Sequence, residues 1–254
     1  MGGRAVLPFV LAGLLSWPTG PIAPAGQHPP DVDALLTRLD TLYRSTSSIA
    51  RIEIVVVSPR TTRNLRVKAW THGDDESLVV IEAPPREEGT ATLRVADNLW
   101  NYLPRIARTI RVPPSMMLGS WMGTDFTNDD LVKASSYRKD YVARIDRRST
   151  APEGWWLTLD VKPDVVGRWS RIEALMTDDG LPVEEHHFDR KGRLARTMTF
   201  DEIKTVGGRR LPSHLTLTPT DVEGQRTEMR YLELQFDAPL PDDTFSLSRL
   251  ERSK

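Results

Sequence analysis

The sequence predicts a mainly β protein built on one curved antiparallel sheet that does not close completely. Three observations lead to this prediction. Apolar and polar residues alternate in most segments after residue 50, turn-forming residues separate these segments at short intervals, and one amphipathic helix precedes them. The alternation indicates a sheet with one covered face. We count about ten or eleven strands, and no strand–helix alternation or Gly-rich phosphate loop suggests a parallel sheet.

The helix is predicted over residues 31–48. Asp31 or Asp33 can cap its exposed amides. Its apolar face consists of Val32, Leu35, Leu36, Leu39, Leu42 and Tyr43. These residues recur at three- and four-residue steps, so we expect the helix to plug or cover the sheet.

The predicted strands form two groups, one on each side of residues 113–130. The first group contains RIEIVVV, NLRVKAW, SLVVIEA, TATLRVAD and LWNYLPRI, and the short strand TIRV is halted by two prolines. The second group contains YVARI, WWLTLDV, SRIEALM, LPVEEHHF, LARTMTF, LPSHLTL and TEMRYLELQF. Turn residues such as those at 97–98 and 178–180 separate them, which is the spacing of a meander.

Residues 115–130 interrupt the strand series with an apolar cluster in a loop or short helix. The cluster contains Met116, Met117, Leu118, Trp121, Met122 and Phe126. Thr127 or Asn128 can cap a helix that begins after it. We expect this segment to be a second plug against the sheet.

Two phrases in this region carry a family resemblance. The first phrase, of the form W-x-Y-x-P…R, is matched by Trp100, Tyr102, Pro104, Arg105 and Arg108. The second, close to G-S-x-M-G-S-D-F, is matched by Gly119, Ser120, Met122, Gly123, Thr124, Asp125 and Phe126, with Thr124 in place of the commoner serine. With the surrounding hairpins, they resemble the outer-membrane lipoprotein-sorting group within the LolA/LolB-like superfamily. The resemblance covers essentially residues 26–254.

The resemblance implies a half-open β-barrel of about eleven strands wrapped round helices, with a concave apolar surface that holds acyl chains. The predicted acyl-binding residues are Trp100, Tyr102, Met116, Met117, Leu118, Trp121, Met122 and Phe126. Methionine adapts to tails of different shape, and tryptophan adds apolar area with one hydrogen-bond donor. For Met116, Met117, Leu118, Trp121 and Met122, an ordinary plug core without a ligand remains the alternative.

Three arginines, Arg105, Arg108 and Arg111, recur at three-residue steps with no acidic residue among them. Guanidinium groups bind phosphate by paired hydrogen bonds, so these residues are predicted to bind a lipid head group. A solvated strand edge, or salt bridges to distant carboxylates, is the alternative.

No pattern of residues indicates an enzyme, a metal site or a cofactor. His186 and His187 are adjacent in a predicted strand and therefore point to opposite faces, so they cannot share a metal without a bulge. Asp125, Asp129 and Asp130 lack the spacing of a calcium loop. No G-x-S-x-G phrase occurs.

Residues 1–25 are predicted to be a secretory signal peptide. Arg4 precedes an apolar run over residues 5–15, which is shorter than the roughly 20 residues of a membrane-spanning helix. Cleavage is expected near Ala25, and an uncleaved anchor is the alternative. The chain has no cysteine, so it lacks disulfides and the lipid-carrying cysteine of a lipoprotein. We therefore expect an unacylated periplasmic protein.

The charge balance leaves no bulk attraction to nucleic acid. Removal of residues 1–25 leaves 33 basic and 35 acidic residues, a formal charge of −2. The expected function is a periplasmic carrier of lipid or lipoprotein acyl chains toward the outer membrane. Its expected partners are an inner-membrane transporter and an outer-membrane acceptor, with transient membrane contact only. The alternative is a non-catalytic envelope adaptor or accessory protein of an inner-membrane lipid exporter, with a half-barrel that is filled by its own helices.

Overall fold

The computed structural model describes residues 1–2, 29–132 and 137–252. The predicted cleavage site at Ala25 lies outside these residues. Thirteen strands form one antiparallel sheet: β1 (Ser47–Val57), β2 (Thr62–His72), β3 (Glu76–Ala83), β4 (Ala91–Val95), β5 (Asn98–Leu103), β6 (Arg108–Arg111), β7 (Tyr141–Thr150), β8 (Glu153–Val161), β9 (Trp169–Met176), β10 (Pro182–Asp189), β11 (Leu194–Val206), β12 (Arg209–Pro219) and β13 (Arg226–Phe236).

The order of the sheet is β6-β5-β4-β3-β2-β1-β13-β12-β11-β10-β9-β8-β7. Except for β6 and β7, strands that are consecutive in sequence pair with each other, and the first strand also pairs with the last along residues 48–57 of β1. The edge strands β6 and β7 are not paired with each other in the described part of the chain. The sheet is therefore open, which fits a half-open barrel. Residues 112–140 connect its two edges.

The predicted count of about eleven strands is wrong, because the sheet contains thirteen. The predicted segments do form strands, but β4, β5 and β6 are only five, six and four residues long. A single 3-10 turn, Pro104–Ile106, separates β5 from β6. The segments TATLRVAD, LWNYLPRI and TIRV correspond to these three strands, so the predicted total was too low although each segment was located.

Within the described residues, four helices accompany the sheet: α1 (Val32–Thr41), α2 (Asn128–Val132), α3 (Tyr137–Asp140) and α4 (Leu247–Glu251). The Asp31 side chain accepts a hydrogen bond from the Asp33 amide at 3.1 Å, so Asp31 caps α1. The predicted extent to residue 48 is wrong, because β1 begins at Ser47. The Ser47 hydroxyl donates to the Ala238 carbonyl oxygen at 2.6 Å, which fixes this residue in the sheet.

Helix α1 packs on the face of the sheet that we call the inner face. Leu35, Leu36 and Leu39 contact apolar residues of β8 and β9, while Leu42 at its end joins a cluster with β1 and β2. Full burial of a leucine contributes about 1.5–3 kcal/mol. The predicted apolar face of the helix is thus buried, and it bridges strands from both groups.

Strands β3 to β5 are covered on both faces. Helix α4 places Leu250 against Leu78 and Leu93 on the outer face. On the inner face, the Trp121 indole donates to the Thr92 hydroxyl at 2.9 Å. Since Thr92 and Leu93 are consecutive in β4, their side chains point to opposite faces. The prediction of one covered face therefore fails here.

Candidate acyl-binding cavity

A cavity of about 290 Å³ lies on the inner face, beneath α1 and the connection between the edge strands. Its apolar wall comes from strands of both groups and includes Ala50, Ile52, Val67, Ala69, Leu215 and Met229. The volume is at the lower end of the roughly 300–1,000 Å³ that is typical of small-molecule pockets.

The strand register explains where the space lies. Ala50 and Ile52 alternate along β1 and point to the inner face. Ala50 is paired directly with Ala69 of β2, and Ile52 with Val67. Two small side chains opposite each other leave space on the inner face of the sheet. A pair of larger residues, such as Ile52 and Val67, fills the corresponding space next to it.

A tight turn holds two aromatic residues at the cavity. The Trp121 amide donates to the Phe126 carbonyl oxygen at 2.7 Å, and Gly123 at the tip has a φ of 71° that favours glycine. Asp125 ties this turn to β13, because its carboxylate accepts from the Thr227 hydroxyl at 2.7 Å and its amide donates back at 3.0 Å. The turn is thus fixed against the sheet.

The predicted acyl-binding residues occupy three different places. Trp121 and Phe126 line the cavity, and Met122 packs against the core cluster that includes Trp121. Trp100 and Tyr102 lie on the outer face in the cluster with α4. Met117 is half-buried, whereas Met116 and Leu118 are 59% and 54% exposed. Lipid contact for these eight residues remains a prediction.

The predicted head-group arginines lie away from the cavity. Arg105 is in the turn before β6, and Arg108 and Arg111 begin and end that edge strand. All three are exposed. Arg111 donates a hydrogen bond to the Asn98 side chain. Within residues 29–132 and 137–252, Arg105 and Arg108 form no ion pair. Their role in head-group binding also remains a prediction.

A buried ion pair at the cavity was not anticipated from the sequence. Arg196 of β11 donates to both oxygens of Asp130 in α2, at 2.7 and 2.9 Å. Its guanidinium lies 4.3 Å from the ring centre of Trp169. Burial alone raises the pKa of Asp130, but the charge and hydrogen bonds of Arg196, with hydrogen bonds from Thr127, hold that pKa well below its ordinary value.

Thr127 also caps α2, which is one of the two caps predicted there. The Thr127 amide donates to Asp130 at 2.7 Å, and the Asp130 amide donates to the Thr127 hydroxyl at 3.2 Å. This reciprocal arrangement satisfies two amides at the helix start. One carboxylate therefore serves as a helix cap and as the partner of Arg196.

The ion pair continues into a chain of hydrogen bonds. Arg196 donates to His187 Nδ1 at 3.4 Å, so the hydrogen of this imidazole is on Nε2. His187 Nε2 donates to Glu185 at 2.9 Å, and the Tyr137 hydroxyl donates to the same carboxylate at 3.1 Å. Burial, followed by the charge of Arg196, lowers the pKa of His187. We call Asp130, Tyr137, Glu185, His187 and Arg196 the polar corner.

The predicted orientation of the two histidines is confirmed. His187 lines the cavity on the inner face, while His186 contacts Glu184 at 2.6 Å on the outer face. The sequence contained one further signal for the polar corner. Glu185 and His187 share one face of β10, and Arg196 is paired with His187 in β11. Charged residues on the covered face of adjacent strands require partners.

The chain matches one protein family in sequence and resembles three solved structures in fold. A family model with the description "Uncharacterized protein" matches residues 73–252, which is more than half of the chain, so the chain belongs to that family. No curated protein sequence matches the chain.

Three solved structures have a similar fold. A DUF1329 family protein from Desulfovibrio piger is 21% identical, with a TM-score of 0.78, over 85% of this chain and 96% of that one. A Vibrio parahaemolyticus structure described as an outer membrane lipoprotein-sorting protein domain is 22% identical, with a TM-score of 0.72, over 85% and 97%. A LolA superfamily protein from Nitrosomonas europaea is 20% identical, with a TM-score of 0.72, over 85% and 98%. The resemblance expected from the sequence is confirmed at the level of the fold.

In the described part of the chain, every helix is too short or too polar to cross a bilayer.

Proposed function

We propose that this protein is a periplasmic carrier that holds acyl chains of a lipid or lipoprotein for transfer toward the outer membrane. The observation that carries this proposal is the apolar cavity on the inner face, walled by strands from both parts of the sheet. The similarity in fold to a domain described as lipoprotein-sorting supports it.

The physical basis is the removal of apolar tails from water. Each buried CH₂ group contributes about 0.8 kcal/mol, so a tail that fills part of the cavity gains several kcal/mol. Trp121 and Phe126 would contact the tail from the connection, opposite Ile52 and Val67 of the sheet. The protein would bind and release its cargo. It would need no catalytic residue, no cofactor and no metal for this role.

Contact with the membrane would involve the turn before β6, β6 itself and the exposed residues at the start of the connection. Arg105, Arg108 and Arg111 would meet lipid phosphates, and the exposed Met116 and Leu118 would touch the head-group region. Contact would be transient, while an inner-membrane transporter loads the carrier and an outer-membrane acceptor unloads it. Residues 1–25 would direct export and be removed.

The first experiment identifies the cargo. The mature chain, residues 26–254, is purified from its native periplasm without detergent, and bound lipids are extracted and analysed by mass spectrometry. The carrier is expected to yield an acyl species near one per protein. Folded protein without lipid would contradict the proposal and favour an envelope adaptor that is filled by its own helices.

A second experiment blocks the cavity without removing an existing contact. Ala69→Phe places a large ring beside Ala50, in the space that the paired alanines leave. We expect at least tenfold weaker binding of the apolar dye N-phenyl-1-naphthylamine, because the ring occupies the ligand volume. The melting temperature should change little.

The matched control is Val142→Phe, which adds a ring on β7 at a side chain that is 61% exposed. It should leave dye binding unchanged. Equal binding by Ala69→Phe and the unmodified protein would place the dye elsewhere and contradict the cavity assignment.

A further inference from the structure

The polar corner places ionisable groups at one part of a cavity whose wall along β1 and β2 is largely apolar. Asp40, Arg44 and Asp129 line the same cavity outside the corner. Glu185 and His187 are 1% and 3% exposed, and Arg196 is 5% exposed. All five residues of the corner line the cavity. These groups would not contribute to the binding of a pure hydrocarbon. Burial of charged and polar groups costs free energy unless they are hydrogen-bonded.

The charges of the corner are not balanced. It holds two carboxyl groups, those of Asp130 and Glu185, and one guanidinium, that of Arg196. His187 is neutral in this arrangement, because its Nδ1 accepts from Arg196 and its Nε2 donates to Glu185. A carboxylate or phosphate on the cargo would therefore enter a site with excess negative charge, in a medium of low dielectric.

The corner also has one unused hydrogen-bond donor. Arg196 donates through both terminal nitrogens, but its Nε is buried and has no partner among the described residues. Buried donors without a partner are uncommon. An ammonium group would be attracted by the excess negative charge, but it cannot accept from this donor and would leave the donor unpaired. A hydroxyl or an amide can accept from Arg196 and also donate to a carboxylate.

We infer that the polar corner binds an uncharged hydrogen-bonding group of the cargo, of the kind that a long-chain alcohol or an N-acyl amide carries. This inference rests on the proposed function and specifies its ligand. The group would accept a hydrogen bond from Arg196 and donate one to a carboxylate of the corner. The attached tail would lie along the wall formed by β1 and β2. A simple hydrocarbon would leave the Arg196 donor unpaired.

The test compares three ligands with the same tail. Dodecanol, dodecanoate and dodecylamine compete with N-phenyl-1-naphthylamine for the delipidated mature chain at a pH at which the acid and the amine are both charged. We expect dodecanol to displace the dye at about tenfold lower concentration than either charged compound, which corresponds to about 1.4 kcal/mol. Equal or tighter binding of dodecanoate or dodecylamine would overturn the inference.

A pair of variants assigns the selectivity to the corner. Glu185→Gln removes one carboxylate but keeps a hydrogen-bond acceptor for His187 and Tyr137. It should reduce the preference for dodecanol over dodecanoate to less than about threefold. Glu184→Gln, one position earlier on the outer face, should leave the preference unchanged.

The outcomes separate this inference from the proposed function. A purely structural corner would make Glu185→Gln less stable but leave the ligand preference intact, and this result would overturn the inference alone. Displacement of the dye by none of the three compounds would overturn the carrier proposal together with the inference.

Discussion

The connection between the two edge strands has two parts that both carry large apolar side chains but lie in opposite environments. In residues 112–118, Met116 and Leu118 are more than half exposed. In residues 119–131, Trp121 is 4% exposed and lines the cavity with Phe126. Hydrophobic content therefore does not decide which part of this connection enters the fold.

Polar anchors make the difference. The buried part is bonded to β13 through Asp125 and Thr227, and to β11 through Asp130 and Arg196. The exposed part is bonded mainly to the buried part of the same connection rather than to the sheet. For example, the Asn128 side chain donates to the Met116 carbonyl oxygen at 3.1 Å. Directional bonds to the sheet thus place the aromatic residues, and burial of those residues then adds stability.

The largest expected effect comes from breaking the anchor between α2 and β11. Asp130→Ala leaves the buried guanidinium of Arg196 without its partner, which typically costs about 3–5 kcal/mol. Urea unfolding of a protein that comprises residues 26–254 measures this loss. Asp160→Ala, which breaks the exposed pair with Arg144, should cost less than about 1 kcal/mol. Similar values for both variants would show that the buried pair is not an anchor.

Truncation of one apolar residue in each part sharpens the comparison. Trp121→Ala removes a buried ring and leaves the Thr92 hydroxyl without the indole donor, so we expect a loss of about 3 kcal/mol or more in the free energy of unfolding. Leu118→Ala should change it by less than about 0.5 kcal/mol, because that side chain is exposed. The same measurement applies to both variants, and a comparable loss for Leu118→Ala would contradict the exposed placement.

The pH dependence of stability probes the anchor through His187. This side chain faces Glu185, Arg196 and Trp169, and its pKa in the folded protein is lowered from the ordinary value near 6.5. Below about pH 6.5 the unfolded chain binds a proton that the folded chain does not bind. Stability should therefore fall as pH falls, by up to about 1.4 kcal/mol per pH unit.

The control for this dependence is His187→Gln, measured by urea unfolding between about pH 5 and pH 7. The variant is expected to be less stable at pH 7 but to lose this slope. A slope that persists in the variant would assign the dependence to other groups.

The smallest expected effect is on membrane binding, and it concerns Arg105 in the turn before β6 and Arg108 at the start of β6. If Arg105 and Arg108 meet an anionic membrane surface, each contributes about 1 kcal/mol at low salt, so replacement of either by alanine should weaken binding to phosphatidylglycerol vesicles about fivefold. Vesicle sedimentation measures this change. Arg144→Ala on β7 is the control, and equal weakening by the control would remove these two arginines from any membrane contact.

Local patterns in the sequence predicted most of the secondary structure. Alternation located the strand segments, and the roles of Asp31 and Thr127 follow from cap chemistry within four residues. The opposite orientations of His186 and His187 follow from the strand period alone. These features depend on neighbours in sequence, which is why they could be read without the fold.

Features that join distant segments could not be predicted in the same way. The pair between Asp130 and Arg196 spans 66 positions and depends on where the connection crosses the sheet. Trp100 and Tyr102 lie on the outer face of the sheet, and the element that covers them is α4, more than 140 residues further along the chain. Alternation reveals that a strand has two faces, but not which distant element covers each face.

The pairing of the first strand with the last has a consequence for how the chain folds. During synthesis or translocation from the N-terminus, β1 emerges about 170 residues before β13, its partner in the centre of the sheet. One edge of β1 stays unpaired throughout that interval and offers a template for aggregation. Because such long-range pairing slows folding, a factor that shields this edge until residue 236 has emerged would raise the yield of native protein.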